Sequence, residues 1–158
     1  MSPFSDLVAQ MQSCTRCAEK LPHQPRPVFQ IHPQARVLVV GQAPGRKVHE
    51  TGVPFDDPSG DRLRDWMGIG KEVFYDARRI AILPMALCYP GTGNSGDLPP
   101  RPECAPTWQR PVLAYLGQIR LTLLIGRYAQ EWHLNRKPGS LTETVREWQS
   151  FGPTVIPL

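Results

Sequence analysis

Residues 37–60 read VLVVGQAPGRKVHETGVPFDDPSG, and the fold turns on them. Val37, Leu38, Val39 and Val40 form an unbroken apolar run, which suits a strand covered on both faces. Gly41 and Gly45 frame Gln42, Ala43 and Pro44 in a turn that bends sharply and brings bare backbone close to a ligand. A polar loop follows, carrying Gly52-Val53-Pro54-Phe55-Asp56-Asp57. In open α/β sheets ligands bind outside the carboxyl ends of the strands, so the floor of an active site is expected at this turn.

Working outward, Ser2 or Ser5 caps a short helix with Phe4, Leu7, Val8 and Met11 at helical spacing. Residues 21–34, LPHQPRPVFQIHPQ, are too proline-rich for helix or central strand. The first strand is predicted over Arg36 to Val40. A helix follows over Gly60 to Met67, capped by Asp57 or Ser59, with Leu63, Trp66 and Met67 inward and one more helical turn over Lys71 to Tyr75. Arg79 to Leu83 is the second strand, and a long irregular loop starts after Cys88. The helix from about Cys104 turns Trp108, Val112, Leu113 and Leu116 inward. Leu121 to Ile125 is the third strand, with Gly126 as its exit into a short helix bearing Tyr128 and Trp132. Leu141 to Trp148 is weakly helical, and Thr154 to Leu158 begins a fourth strand. Strands alternating with helices predict a parallel α/β sheet with helices on both faces.

A chain of 158 residues fits a single domain with a sizeable core. A mean hydropathy of -0.33, the lack of a membrane-length apolar run and the absence of a signal-peptide pattern in Met1 to Gln12 read as a cytoplasmic protein. The net charge of +4 is compatible with a phosphate-bearing partner.

Four cysteines without an export signal argue against structural disulfides. Cys14 and Cys17 form a CxxC, whose short turn aims two thiolates at one ion or cluster; Cys88 and Cys104 must converge on it through the fold. The set holds either a [4Fe–4S] cluster or zinc, and the wide second pair leans toward the cluster. The bland alternative is four buried apolar cysteines.

The turn at Gly41 to Gly45 has neither the lysine and hydroxyl of a P-loop nor GxGxxG spacing. An aromatic ring at Phe55, carboxylates at Asp56 and Asp57 and exposed backbone N–H groups are what a pocket for a planar base needs, although either Asp also suits a helix cap. Arg46, Lys47, Arg62 and Arg64 read as a solvated face that would meet phosphates of a nucleic acid. His23, His32 and His133 read as structural or surface groups, and His49, beside the pocket, as solvent-facing before substrate-contacting.

Taken together, these residues resemble the uracil-DNA glycosylase superfamily, closest to its iron–sulfur branches, usually numbered four and five. Gly41-Gln42-Ala43-Pro44-Gly45 is similar to that family's Gly-Glu-Ala-Pro-Gly motif, with Gln42 in place of the acid. Gly52-Val53-Pro54-Phe55 resembles the loop whose Phe stacks on a flipped base. Cys88-Tyr89-Pro90, then prolines, then Glu103-Cys104 resembles its second cysteine pair, and Leu124-Ile125-Gly126 with Ala129 its later strand exit. Pro84 stands where the family has an Asn that reads the uracil edge. The chain stops at Ile156-Pro157-Leu158, where a His-Pro-Ser/Ala loop is expected to begin.

The resemblance implies a three-layer α/β/α sandwich on a four-stranded parallel sheet, with Cys14, Cys17, Cys88 and Cys104 ligating a [4Fe–4S] cluster. It implies a DNA glycosylase acting, as a monomer, on the N-glycosidic bond of a flipped deaminated base such as uracil. Base contacts fall to Gly41, Gln42, Ala43, Pro44, Gly45, Phe55 and Pro84. Backbone N–H groups around Gln42 would stabilise the leaving base, and Asp57 or Asp56 would orient water. Arg46, Lys47 and Asn94 would clamp the DNA backbone. Two rival expectations remain: a non-catalytic iron–sulfur protein of this fold that binds nucleic acid, favoured by Gln42, Pro84 and the absent His motif, and a zinc-stabilised α/β domain with a small-nucleotide ligand.

Overall fold

The computed structural model describes residues 2–135 and 140–158. Its centre is a four-stranded, all-parallel sheet in the order β2-β1-β5-β6: β1 Val37–Val40, β2 Ile80–Ile82, β5 Leu121–Leu124 and β6 Val155–Pro157. Register sets Val39 beside Ile82 on one side and beside Leu123 on the other. A two-residue pair of strands, β3 Thr92–Gly93 and β4 Gly96–Asp97, forms a separate hairpin inside the loop expected to be irregular.

The strand residues alternate cleanly between two cores, as a pleat of period two requires. Leu38, Val40, Ala81, Leu83 and Leu124 enter one core. There they meet α1 (Pro3–Gln12), α5 (Cys104–Leu113) and α6 (Arg127–His133) through Met11, Ala105, Val112 and Ala129. Val39, Ile80, Ile82 and Leu123 enter the other, against Leu63 of α3 (Pro58–Met67) and Phe74 of α4 (Lys71–Phe74). Two helical layers therefore enclose the sheet, the sandwich expected from the sequence.

The expected elements are present, with two local differences. A six-residue helix, α2 (Arg46–Thr51), forms straight after the Gly41 to Gly45 turn, where the sequence suggested a polar loop. Trp66 points outward, 66 % exposed, while Arg64 is buried at 5 %, so α3 is rotated from the expected facing. The C-terminal expectation of weak helix resolves into α7 (Leu141–Arg146), with a capping box at Ser140 and Glu143, followed by a 3-10 turn over Trp148–Phe151. Among the described residues no helix is long and apolar enough to cross a membrane.

Strand order positions the site. The chain leaves β1 to form β2 on one side and returns to form β5 on the other, so the order reverses at β1. The crevice outside the carboxyl ends of strands at such a switch point is the preferred ligand position in open α/β sheets. Here that crevice lies between Gly41, Pro84 and Gly126.

Candidate active site

A cleft of about 230 Å³ opens at that point. Its lining comes from the β1 exit (Gly41 to Gly45), the Phe55 loop, Pro84 after β2, and Ile125 and Gly126 after β5. Such a volume lies below the roughly 300–1,000 Å³ of sites for drug-sized ligands and suits one planar ring. Asp57 and Ser59 also line it.

The turn is held from below. Met85 N–H donates to the Gly41 carbonyl at 2.9 Å and Ala86 N–H to the Gln42 carbonyl at 3.1 Å. The N–H groups of Gln42, Ala43 and Gly45 have no acceptor among the described residues, which leaves donors free at the cleft. Gly41 keeps room for the ring: a Cβ there would stand 3.3 Å from the Phe55 ring, which would have to shift by a few tenths of an ångström.

Phe55 is fixed by more than its own loop. Its backbone takes the left-handed conformation, φ 56°, which is strained for an aromatic residue and persists only where surroundings impose it. Its ring packs edge-on against Phe74, centroids 5.9 Å apart. Buried Arg64 donates to the Phe55 carbonyl at 3.2 Å and to Tyr75 Oη at 3.1 Å. Tyr75 Oη in turn donates to the Pro54 carbonyl at 2.8 Å. The Arg64 guanidinium lies 5.1 Å from the Phe74 ring centre and makes an ion pair of 2.8 Å with Asp61. Arg64 is thus the clamp of the aromatic wall, not part of a solvated basic face.

The two acidic candidates separate. Asp57 is the N-cap of α3: its Oδ1 accepts from Gly60 N–H at 2.8 Å and from Ser59 Oγ at 2.6 Å. It also lines the cleft, and Asp56 does not. Pro84 offers a ring with no N–H, and its carbonyl accepts from Gln109 Nε2 at 3.0 Å. Gln109 is 1 % exposed, and its Oε1 accepts from His133 Nε2 at 3.1 Å, which puts the imidazole proton on Nε2. Burial lowers the His133 pKa to about 4. Nothing in the local sequence of Gln109 or His133 marked this buried relay to the cleft wall.

Arg46 and Lys47 are exposed on the first turn of α2, and Arg46 pairs with Glu50 at 3.3 Å. Asn94 is exposed at the tip of the β3–β4 hairpin. The hairpin stands beside the turn, since a Cβ at Gly45 would lie 3.5 Å from Asp97 Oδ2. His49 is not solvent-facing as expected: its ring stacks on His23 at 5.2 Å, and its buried Nδ1 has no partner among the described residues.

A family model, the Uracil DNA glycosylase superfamily, matches residues 28–158. The chain belongs to the uracil DNA glycosylase superfamily. The matched span includes the whole sheet and every residue of the cleft. Membership in the uracil DNA glycosylase superfamily connects the chain with DNA and with glycosylase-like chemistry. The match begins after Cys14 and Cys17, so the CxxC lies outside it while Cys88 and Cys104 lie inside.

All four cysteines are free, and they line one pocket with Leu21, Leu87 and Trp108. Burial pushes the Cys104 thiol up to about 12 and Cys88 to about 11, with the neighbouring cysteines adding to each shift. Burial and then Glu103 also raise Cys17. Leu87 N–H donates to Cys104 Sγ at 3.3 Å. Arg101 and Lys20 hold the Glu103 carboxyl well below the usual range beside this pocket. Among the described residues no three His, Cys, Asp or Glu side chains are grouped to hold one metal ion.

One connection joins the two sites. Arg26 Nη1 donates to the carbonyls of His49 and Glu50 at 2.8 Å each, closing the last turn of α2. Its backbone N–H reaches Cys88. Arg26 therefore ties the cysteine pocket to the helix that begins at the cleft.

Proposed function

We propose that the cleft receives a base flipped out of DNA and that the protein hydrolyses the N-glycosidic bond of a deaminated base such as uracil. The observation that carries this reading is the convergence of three groups on one small cleft. These are the free N–H donors of Gln42 and Ala43, the Phe55 face and the Asp57 carboxylate. Phe55 stacks on the base. As the C1′–N bond breaks, its electron pair moves onto the base, and the free N–H groups stabilise that developing anion; one such donor is typically worth about 10²–10³ in rate. Asp57 keeps Oδ1 on the helix cap and has Oδ2 to orient the water that attacks C1′, while its charge offsets the oxocarbenium-like sugar. Exposed Arg46, Lys47 and Asn94 meet the phosphates around the flipped nucleotide.

Four thiols around one shared pocket suit a [4Fe–4S] cluster, and the wide spacing of Cys88 and Cys104 favours the cluster over zinc. Cys14, Cys17, Cys88 and Cys104 would hold a [4Fe–4S] cluster, which when bound joins the N-terminal helix to the loop after β2. N–H donors from Leu87 and Arg26 to the sulfurs suit such a cluster.

A second reading, nucleic-acid binding without catalysis, is favoured by uncharged Gln42 and by an apolar wall at Pro84. The deciding experiment incubates the protein with duplexes carrying uracil or another deaminated base and reads abasic sites by alkaline cleavage. Strand breaks at the modified base support hydrolysis. Tight binding without release from any of them supports the second reading.

A further inference from the structure

A triangle of rings stands at the far end of α2 from the cleft. His49 lies on the last turn of α2, His23 in the proline-rich segment before β1, and Tyr89 directly after Cys88. Ring centres are 5.2 Å apart for His23 and His49, 6.0 Å for His23 and Tyr89, and 5.8 Å for His49 and Tyr89. Tyr89 is buried, and its Oη is hydrogen-bonded to Thr92 Oγ1, which in turn donates to Asp97 Oδ1 at 3.2 Å. The stack therefore holds α2 through His49 and the β3–β4 hairpin through Tyr89. Such support matters for α2, which has six residues, whereas helices below about 12–15 residues are marginal on their own.

Only a neutral His49 fits this arrangement. Its Nδ1 is buried with no partner among the described residues, which a neutral ring with its proton on Nε2 tolerates. An imidazolium carries a proton on both nitrogens, and the one on Nδ1 would be a buried donor without an acceptor. The surrounding charges act the same way. Arg26, bonded to the His49 carbonyl, and His23 on the ring face both oppose a positive charge, and only Glu50, exposed and paired with Arg46, favours one. Burial first, then His23 and Arg26, hold the His49 pKa below its usual 6.5.

We propose that the His23–His49–Tyr89 stack is a proton-sensitive latch that sets α2 and the hairpin for DNA while His49 is neutral and releases them when it is charged. The latch rests on the reading that Arg46, Lys47 and Asn94 meet DNA phosphates. Because the folded His49 pKa is depressed, the latch is closed at neutral pH and opens as pH falls below 6.5. That sign opposes simple electrostatics, in which positive charge gained in acid tightens binding to phosphates. His23 is exposed, so the outer face of the stack is open to solvent protons.

Two measurements on the whole chain test this. Anisotropy of a tetramethylrhodamine-labelled unmodified duplex, titrated with protein from pH 7.5 to pH 5 at constant salt, gives the affinity. Wild-type affinity should fall toward acid, by at most about tenfold per pH unit for one linked proton. His49→Phe keeps a ring in the stack but has no proton to take up, and its affinity should not fall over that range. Nitrogen-15 NMR of the imidazoles, recorded without DNA, follows the proton itself. His49 should be neutral at pH 7 with its proton on Nε2, and the amide signals of residues 46–51 and 92–97 should move together with its titration. Parallel affinity curves for the two proteins, or a wild-type affinity that rises toward acid, overturn the proposal. So does a charged His49 at pH 7, or a titration that leaves those amides unmoved. Absence of DNA binding at every pH would remove the DNA reading instead, and the latch would then stand or fall on the amide shifts.

Discussion

A Cβ on Gly60 would lie 1.8 Å from the carbonyl oxygen of Phe55. The first turn of α3 and the aromatic wall of the cleft are thus in backbone contact, and a side chain at residue 60 cannot be fitted without moving the wall. Within a helix, Ala is ordinarily favoured over Gly by about 1 kcal/mol. Overpacking against backbone reverses that sign, at the upper end of the roughly 1–3 kcal/mol usual for such sites. Gly60→Ala should therefore lower stability in denaturant titrations and abolish base excision. Unchanged stability with full activity would mean that the Phe55 loop is not held where the contact places it.

Arg64 clamps the same loop from inside the protein, through the Phe55 carbonyl and Tyr75 Oη. Arg64→Met keeps much of the stem's volume but leaves those groups without their donor, a loss of about 1–3 kcal/mol. Lys at the same position reaches one acceptor at a time and should recover only part of it. Urea titrations of the three proteins test this. Equal midpoints would show that the buried guanidinium is dispensable.

How much of this was legible in the sequence follows from the range of the forces involved. The Val37 to Val40 run, the Gly41 to Gly45 turn and a cap at Asp57 or Ser59 are set by local patterning and could be read directly, the structure choosing Asp57. Strand alternation then divided the sheet residues between two cores. Arg64 was misjudged because an Arg in a polar helix is ordinarily solvated; what buries it is the ring pair Phe74 and Tyr75, contributed by α4 and the residue after it. Trp66 was misjudged for the complementary reason, since its apolar ring predicted burial. Gln109, His133 and Arg26 act across 23 residues or more, on Pro84 and on His49. No periodicity or motif carries such a contact. The convergence of Cys88 and Cys104 with the CxxC was expected from the cysteine layout itself, but no local pattern says where in space the four would meet.

The carboxylates at 56 and 57 should now differ sharply. Asp57→Asn keeps a side-chain oxygen for the Gly60 N–H, so stability should fall by less than the ~1 kcal/mol usual for losing a cap. Excision should nevertheless drop by about 10²-fold or more in single-turnover assays, because the charge beside the water is gone. Asp56→Asn lies outside the cleft lining and should change the rate little. Equal, small losses at both positions would reduce Asp57 to a cap.

The cysteine pocket gives a test independent of catalysis. Protein purified without oxygen should carry visible absorbance and about four irons per chain if Cys14, Cys17, Cys88 and Cys104 hold a [4Fe–4S] cluster. Cys14→Ser and Cys104→Ser should each bleach it, although Cys14 and Cys104 lie on opposite sides of the first strand in the sequence. A colourless protein with one zinc would overturn the cluster.

His133 supplies a pH signature. Burial holds its folded pKa near 4, against 6.5 for the free side chain, and no charged neighbour contributes to the shift. A depressed histidine stays neutral in the folded protein while the unfolded chain takes up a proton. Its stabilising contribution is therefore complete above pH 6.5 and is lost as pH falls from 6.5 to about 4, at a slope of at most about 1.4 kcal/mol per pH unit. His133→Gln removes that titration while keeping a donor for the Gln109 amide oxygen. The difference in unfolding free energy between wild type and variant should shift by on the order of 3 kcal/mol against the wild type across that window. Below pH 4 the difference should level off. Parallel stability curves from pH 4 to 7 would show that His133 is hydrated in the folded state, and that the relay through Gln109 to Pro84 does not shield it.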